Sequence, residues 1–234
     1  MTGWSEIWKN RSCNSVDPSH PLTLADLLRV NGYDTGTGRV AAADFEQYAR
    51  YIAEICKIQP GDSLFEVGMG GGAFLLPWYR AGHPVGGLDY SAALISVARQ
   101  AMPDARHAFL VCEASRMSTK KKYDVVLSNG VFLYFSDLIY ARTVVEKMIQ
   151  KSQKTIAILD IPDMAQQEIS EKFRRESLPP GEYEERYRSL DHLYFTRSWF
   201  NEISDTFGLD ISVSDQHIPH YRNSRFRFNV VMKK

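Results

Sequence analysis

In 234 residues, 28 Lys and Arg balance 28 Asp and Glu, so the formal net charge is zero. That excludes a binder whose grip on nucleic acid rests on general phosphate neutralisation. A hydrophobic content of 44%, with aromatics at 12% of the chain, is ample for a buried core and excludes a disordered chain.

The three cysteines, Cys13, Cys56 and Cys112, are odd in number and widely spaced. Neither a disulfide framework nor a zinc site has that pattern, so buried thiols in a reducing compartment are expected. No apolar stretch approaches the ~18 residues of a membrane span, and Met1-Thr2-Gly3-Trp4 is not followed by a signal-peptide core. A cytoplasmic protein with no membrane partner is the expectation.

Trp4, Ile7 and Trp8 stand at helical spacing, followed by a loop holding Pro18 and Pro21 and a helical pattern from Leu22 to Val30. A turn-rich stretch, Asn31-Gly32-Tyr33-Asp34-Thr35-Gly36-Thr37-Gly38, comes next. Residues 41–57 read as an amphipathic helix with Phe45, Tyr48, Ile52 and Ile55 on one face. Together, residues 1–58 form an N-terminal helical cap, and the core begins at 59.

From Ser63 the alternation is regular. Strands are expected at 63–67, 85–89, 108–112, 123–128 and 155–160. Helices are expected at 73–81, at 92–101 behind a Ser91 cap, and at 137–150. Apolar runs of this length separated by helices read as parallel strands covered on both faces. Residues 162–195 break the rhythm with charge and Pro179-Pro180-Gly181, as a lid-like insertion would. A helix at 197–206 and an alternating pair at 209–213 and 226–232 complete a seven-stranded, mostly parallel α/β sheet with an antiparallel last strand.

The chain is organised around Ser63-Leu64-Phe65-Glu66-Val67-Gly68-Met69-Gly70-Gly71-Gly72-Ala73. A buried strand that breaks into glycines lets backbone approach a ligand closely, and a helix start offers free N–H groups. A nucleotide-like cofactor is expected. Two readings fit. Gly68-x-Gly70-x-x-Ala73 with Asp89 downstream satisfies a dinucleotide fingerprint, which implies an NAD(P)-dependent oxidoreductase. The other reading takes Glu66-x-Gly68-x-Gly70-x-Gly72, an acid two residues before the first of three alternating glycines.

In that second form, together with Gly87-Leu88-Asp89, Glu113-Ala114 and Asp124-Val125-Val126-Leu127-Ser128-Asn129-Gly130, the sequence resembles the class I S-adenosylmethionine-dependent methyltransferases. The resemblance covers roughly residues 40–234 and implies a three-layer Rossmann-like fold. It implies cofactor contacts at Glu66, Gly68, Met69, Gly70, Gly72, Asp89, Tyr90, Glu113, Ala114 and Asn129, to which the loop residue Tyr33 is added as a candidate. Asp89 would hold both ribose hydroxyls, since a carboxylate accepts two O–H donors at once. Glu113 stands where the family usually has Asp. A domain of this fold that binds cofactor without turnover is the further alternative.

Methyl transfer needs a positioned nucleophile, and an alcohol or phenol acceptor also needs a base. Candidate catalytic residues are His192, Tyr134 and His217, with His220 behind them. His192 leads because imidazole titrates near neutrality and the insertion returns to the sheet there. Tyr33, in its glycine-flanked loop, could close over the cofactor. No Asn-Pro-Pro-Tyr-type motif follows the fourth strand, which argues against base methylation in nucleic acid. Aromatic residues around 132–135 and 194–195 fit a small, partly apolar acceptor methylated on oxygen or nitrogen.

Overall fold

The computed structural model describes residues 3–9, 20–34, 36–188 and 190–234. Cys13 and Pro18 lie outside the described residues. Three helices precede the sheet: α1 (Trp4–Lys9), α2 (Leu24–Val30) and α3 (Ala42–Cys56). Thr23 and Asp26 build a reciprocal capping box that starts α2 two residues later than the apolar pattern alone suggests.

The alternating core follows as β1 (Leu64–Val67), α4 (Leu76–Arg80), β2 (Val85–Asp89), α5 (Ala92–Ala101), β3 (Phe109–Val111), β4 (Tyr123–Asn129), α6 (Leu138–Lys151) and β5 (Ser152–Pro162). Then come α7 (Gln167–Glu176), α8 (Glu182–Tyr187), α9 (Arg197–Phe207), β6 (Asp210–Asp215) and β7 (Arg227–Lys233). Ser91 caps α5 by accepting from the Leu94 N–H, as expected. The helix expected at 73–81 starts only at Leu76. Turns occupy the residues after the glycines, and Pro77 sits in the first helical turn, where its missing N–H costs nothing.

Seven strands run in the order β3-β2-β1-β4-β5-β7-β6. The first five pair in parallel, while β7 runs antiparallel to both β5 and β6. Alternate side chains of each strand feed opposite faces, which makes three layers. Leu64, Val125 and Ala157 join Leu27, Phe45, Ile52 and Leu94 on one face. Phe65, Val126 and Ile156 join Val144, Met148, Phe200 and Ile203 on the other. At about 1.5–3 kcal/mol per buried large side chain, these two clusters are the main stabilising term.

The strand order reverses between β1 and β4, so their carboxyl ends diverge and leave a crevice. Val67, Asp89, Asn129 and the far end of β5 open onto that edge. Because β7 is antiparallel, its first residue, Arg227, pairs in register with Pro162 and arrives at the same edge. Cys56 is buried, with its thiol pushed up to about 12 by desolvation, and Cys112 is half-buried. Among the described residues no helix is long and apolar enough to cross a membrane.

Candidate active site

A cavity of about 740 Å³ occupies the carboxyl edge of the sheet, inside the ~300–1,000 Å³ range of small-molecule sites. One end is lined by Gly68, Gly70, Asp89, Tyr90, Glu113 and Ala114. The other is lined by Trp4, Tyr134, Arg174, His192, Tyr221 and Arg227. Asn129, Tyr33 and Asp160 lie on its wall as well.

The glycine turn is built differently from the expectation of free donors. Gly68 and Met69 N–H both donate to the Leu88 carbonyl, 2.9 Å each, and Gly72 N–H donates to the Met69 carbonyl at 2.8 Å. Gly70 N–H donates to Asp89 Oδ2 at 3.0 Å, and Gly71 N–H to Asn31 Oδ1 at 2.7 Å. All five N–H groups from 68 to 72 are engaged within the protein. What the turn offers a ligand is close approach and a fixed carboxylate.

The glycines also divide by purpose. Gly68 (φ 74) and Gly70 (φ 54) face the cavity in a backbone region that favours glycine. A Cβ on Gly70 would stand 2.6 Å from Asn31 Oδ1. Gly72 does not line the cavity, and a Cβ there would strike the Met102 methyl. Met69 is likewise turned inward, its sulfur against Gly87. Glu66 is buried below the turn, and Oε2 has no hydrogen-bond partner. Desolvation, then the nearby Asp89 charge, raises its pKa well above the carboxylate range. Glu66, Met69 and Gly72 therefore support the turn from behind and do not line the cavity.

Asp89 sits at the tip of β2 and lines the cavity. Oδ2 accepts from Gly70 N–H and Oδ1 accepts from Ser91 N–H at 2.8 Å, so each oxygen keeps a lone pair for an incoming hydroxyl. Burial raises its pKa, opposed by the backbone donors of Ser91 and Gly70. Glu113 Oε2 accepts from the Tyr140 hydroxyl at 3.3 Å, which orients the longer side chain toward this end.

A buried polar network joins the two ends. Asn129 Nδ2 donates to the Tyr33 hydroxyl at 3.1 Å, and the Tyr48 hydroxyl donates to Asn129 Oδ1 at 3.4 Å. Gln216 Nε2 reaches Tyr48 Oη and Asp160 Oδ1, 3.3 Å each, while the Tyr221 hydroxyl donates to Asp160 Oδ2 at 3.3 Å. Asp160 has φ 57, a conformation that costs a non-glycine residue about 1–3 kcal/mol. It sits where the pairing of β5 with β7 shifts register between Ile158 and Ile161, and its own N–H donates to Asn229 Oδ1. That bulge re-aims the Asp160 side chain into the cavity.

At the far end Tyr134 contacts Trp4, Trp8 and His192, with ring centroids 4.9, 5.4 and 5.7 Å away. Trp4 also stacks on His192 at 5.2 Å and ties α1 to the insertion through Nε1 to the Asp191 carbonyl, 2.9 Å. His192 does reach the cavity, with one ring nitrogen engaged. Arg174 Nη1 lies 3.0 Å from His192 Nδ1, and a guanidinium only donates, so that lone pair is occupied and the ring proton resides on Nε2. Burial, then Arg174 and Arg227, push the imidazole pKa well below its ordinary value. The ring is a neutral donor near pH 7. His217 is exposed and packs on Tyr51, and His220 is exposed beside Asp44; neither lines the cavity.

Sequence reasoning missed Asn31, Asp160, Arg174 and Arg227, along with the position of Trp4 against the site. Asn31 opens the turn-rich stretch and carried a local signal. The others are brought in by a bulge, by the insertion and by an antiparallel strand, and no short motif records those.

Residues 65–171, from β1 into α7, match a family model described as a methyltransferase domain. With the sheet order and a cavity at its carboxyl edge, that match defines a class I S-adenosylmethionine-dependent methyltransferase. The matching model is Methyltransf_11, and S-adenosylmethionine is the cofactor that such a domain implies. No curated protein matches the chain in sequence. Among solved structures, the plantazolicin methyltransferase BpumL, in complex with a triazolic desmethylPZN analog and S-adenosylhomocysteine, is similar at TM-score 0.63 and 16% identity, covering 90% of this chain and 91% of that one. The magnesium protoporphyrin IX methyltransferase of Synechocystis PCC 6803 with bound S-adenosylmethionine is similar at TM-score 0.58 and 14% identity, covering 94% and 97%. The glycopeptide N-methyltransferase MtfA is similar at 0.58 and 13% identity, covering 84% and 91%. These likenesses establish the shared fold.

Proposed function

We propose that the chain methylates an oxygen, or a nitrogen, of a small aromatic-bearing molecule, with the cofactor at the Asp89 end and the acceptor at the Trp4 end. The observation that carries the reading is the Asp89 carboxylate at the tip of β2, each oxygen holding one backbone N–H and facing the cavity. Glu113 and Ala114 suit the adenine, Tyr90 flanks the sugar, and Asn129 with Tyr33 suits the methionine portion. Similar folds act on plantazolicin, magnesium protoporphyrin IX and glycopeptide, by their names, which supports an acceptor of natural-product type.

S-adenosylmethionine supplies an electrophilic methyl group. The protein supplies position: the network through Tyr33, Asn129 and Asp160 fixes the wall between the two ends, and the Trp4, Trp8 and Tyr134 rings exclude water. For a hydroxyl acceptor, Asp160 is the carboxylate suited to take the proton. It accepts from Gln216 and Tyr221 and retains acceptor capacity. Tyr134 lines the acceptor pocket.

The dinucleotide reading is disfavoured by the same inventory. Pyrophosphate binding uses free backbone N–H groups at the glycine turn, and here Gly70 and Gly71 donate to Asp89 and Asn31. Calorimetry with S-adenosylmethionine, S-adenosylhomocysteine and NAD(H) tests the assignment. Binding of the first two without NAD(H) is expected; binding of NAD(H) alone would refute it. Release of labelled methyl to an acceptor separates an enzyme from a binding-only domain.

A further inference from the structure

Arg227 is a buried cation that forms no ion pair among the described residues. It is 5% exposed, Nε has no hydrogen-bond partner, and its one hydrogen bond among the described residues runs from Nη1 to the Asp160 carbonyl at 3.5 Å. The Asp160 carboxylate is nearby and offsets part of the charge, but its oxygens are engaged by Gln216 and Tyr221 rather than by the guanidinium. Burying a guanidinium in this way is costly unless something of opposite charge meets it.

A second cation shares the same end. Arg174 lies over the adjacent Tyr183 and Tyr187 rings, 5.4 Å from each centroid, and its hydrogen bond goes to the neutral His192. Its neighbour Arg175 is paired with Glu184 at 2.8 Å, while Arg174 forms no ion pair among the described residues. His192 turns a proton on Nε2 outward from that contact. Both guanidiniums bear on the His192 ring, so the three donors face a common space. The acids facing that end are Asp160, which accepts from Gln216 and Tyr221, and Asp191, which is exposed to solvent.

We propose that the methyl acceptor is an aromatic acid whose carboxylate is held by Arg227 and Arg174, with its ring against Trp4 and Tyr134. The fork of an arginine matches a carboxylate in shape as well as charge, and two such groups make the pairing selective. A carboxylate held in this way is a handle. Its lone pairs are committed to donors, so the methyl group goes to another atom of the molecule. The inference rests on the methyltransferase reading and identifies the substrate class for it.

The test uses the full chain saturated with S-adenosylhomocysteine, whose own binding is measured first and reports on the methyltransferase reading separately. Benzoate, cinnamate and indole-3-acetate are titrated calorimetrically beside their amides and beside phenyl phosphate. At least one acid is expected to bind roughly thirtyfold tighter than its amide. Arg227→Gln is expected to abolish that preference with S-adenosylhomocysteine affinity unchanged, and Arg227→Lys to restore part of it. Arg174→Gln, at a half-buried position, repeats the test without a buried cavity and is expected to cut the preference severalfold. No acid preferred over its amide would overturn the proposal. So would phenyl phosphate preferred over every acid, or a preference that survives both glutamine variants.

Discussion

The two ends of one cavity are built on opposite principles. At the Asp89 end every donor of the glycine turn is already satisfied by the protein, and the ligand meets a finished surface that needs no reorganisation. At the Arg227 end the buried guanidinium Nε has no protein partner among the described residues, and a ligand would complete the structure. The first end comes from neighbouring segments of one alternating pattern. The second is assembled from α1, α7, the loop before α9 and the start of β7. A site of fixed chemistry is written locally, whereas a site of chosen specificity is gathered from insertions.

The sharpest break in this contrast is Asp89→Ala. Loss of two charge-assisted hydrogen bonds, at about 1.5–3 kcal/mol each, predicts at least a hundredfold weaker S-adenosylhomocysteine binding by calorimetry, with far-UV circular dichroism unchanged. Gly72→Ala tests the opposite side of the turn. With φ 86 and Met102 in the way, it is expected to lower stability by about 1–2 kcal/mol, or a few degrees in Tm, while the folded protein keeps its cofactor affinity. A large affinity loss there would mean that the whole turn, not only its front, touches the ligand.

His192→Gln replaces one neutral donor by another. Burial and two guanidiniums hold the imidazole pKa well below its ordinary value, which favours the neutral ring near neutral pH. Turnover measured across neutral pH with a working acceptor is expected to have the same profile in both proteins. A limb near pH 6.5 present only in the parent would restore His192 as a base. The smallest expected effect lies far from the cavity. The Ser63 N–H, with Lys154 and the Ser63 hydroxyl behind it, holds the Asp124 carboxyl down to about 2. A depressed pKa gives stability that is present above the unfolded value and lost as pH falls toward 2. The Tm gap between the parent and Asp124→Asn should therefore narrow between about pH 4 and 2.

What was legible in the chain follows the same division. Val85–Asp89 and the Ser91 cap are local, since an apolar run ends in an acid and a hydroxyl precedes a helical pattern; both stand where they were expected. Asp160 had the right residue type but no signal, because its direction depends on a bulge that only pairing with β7 creates. Arg227 looked like an alternating strand residue. Its burial follows from β7 running antiparallel and beginning where the parallel strands end. His192 was found in position but not in state, since its tautomer is set by an arginine eighteen residues away. His217 shared its segment with Tyr221 and Asn223, yet the chain turns those two inward and His217 out.

A crystal structure of the S-adenosylhomocysteine complex tests the central claim most directly. The account predicts both ribose hydroxyls within hydrogen-bond distance of Asp89, and the sulfur directed toward the space bounded by Asp160, Trp4 and Arg227. A nucleoside seated away from Asp89, or a sulfur turned from that space, would contradict it.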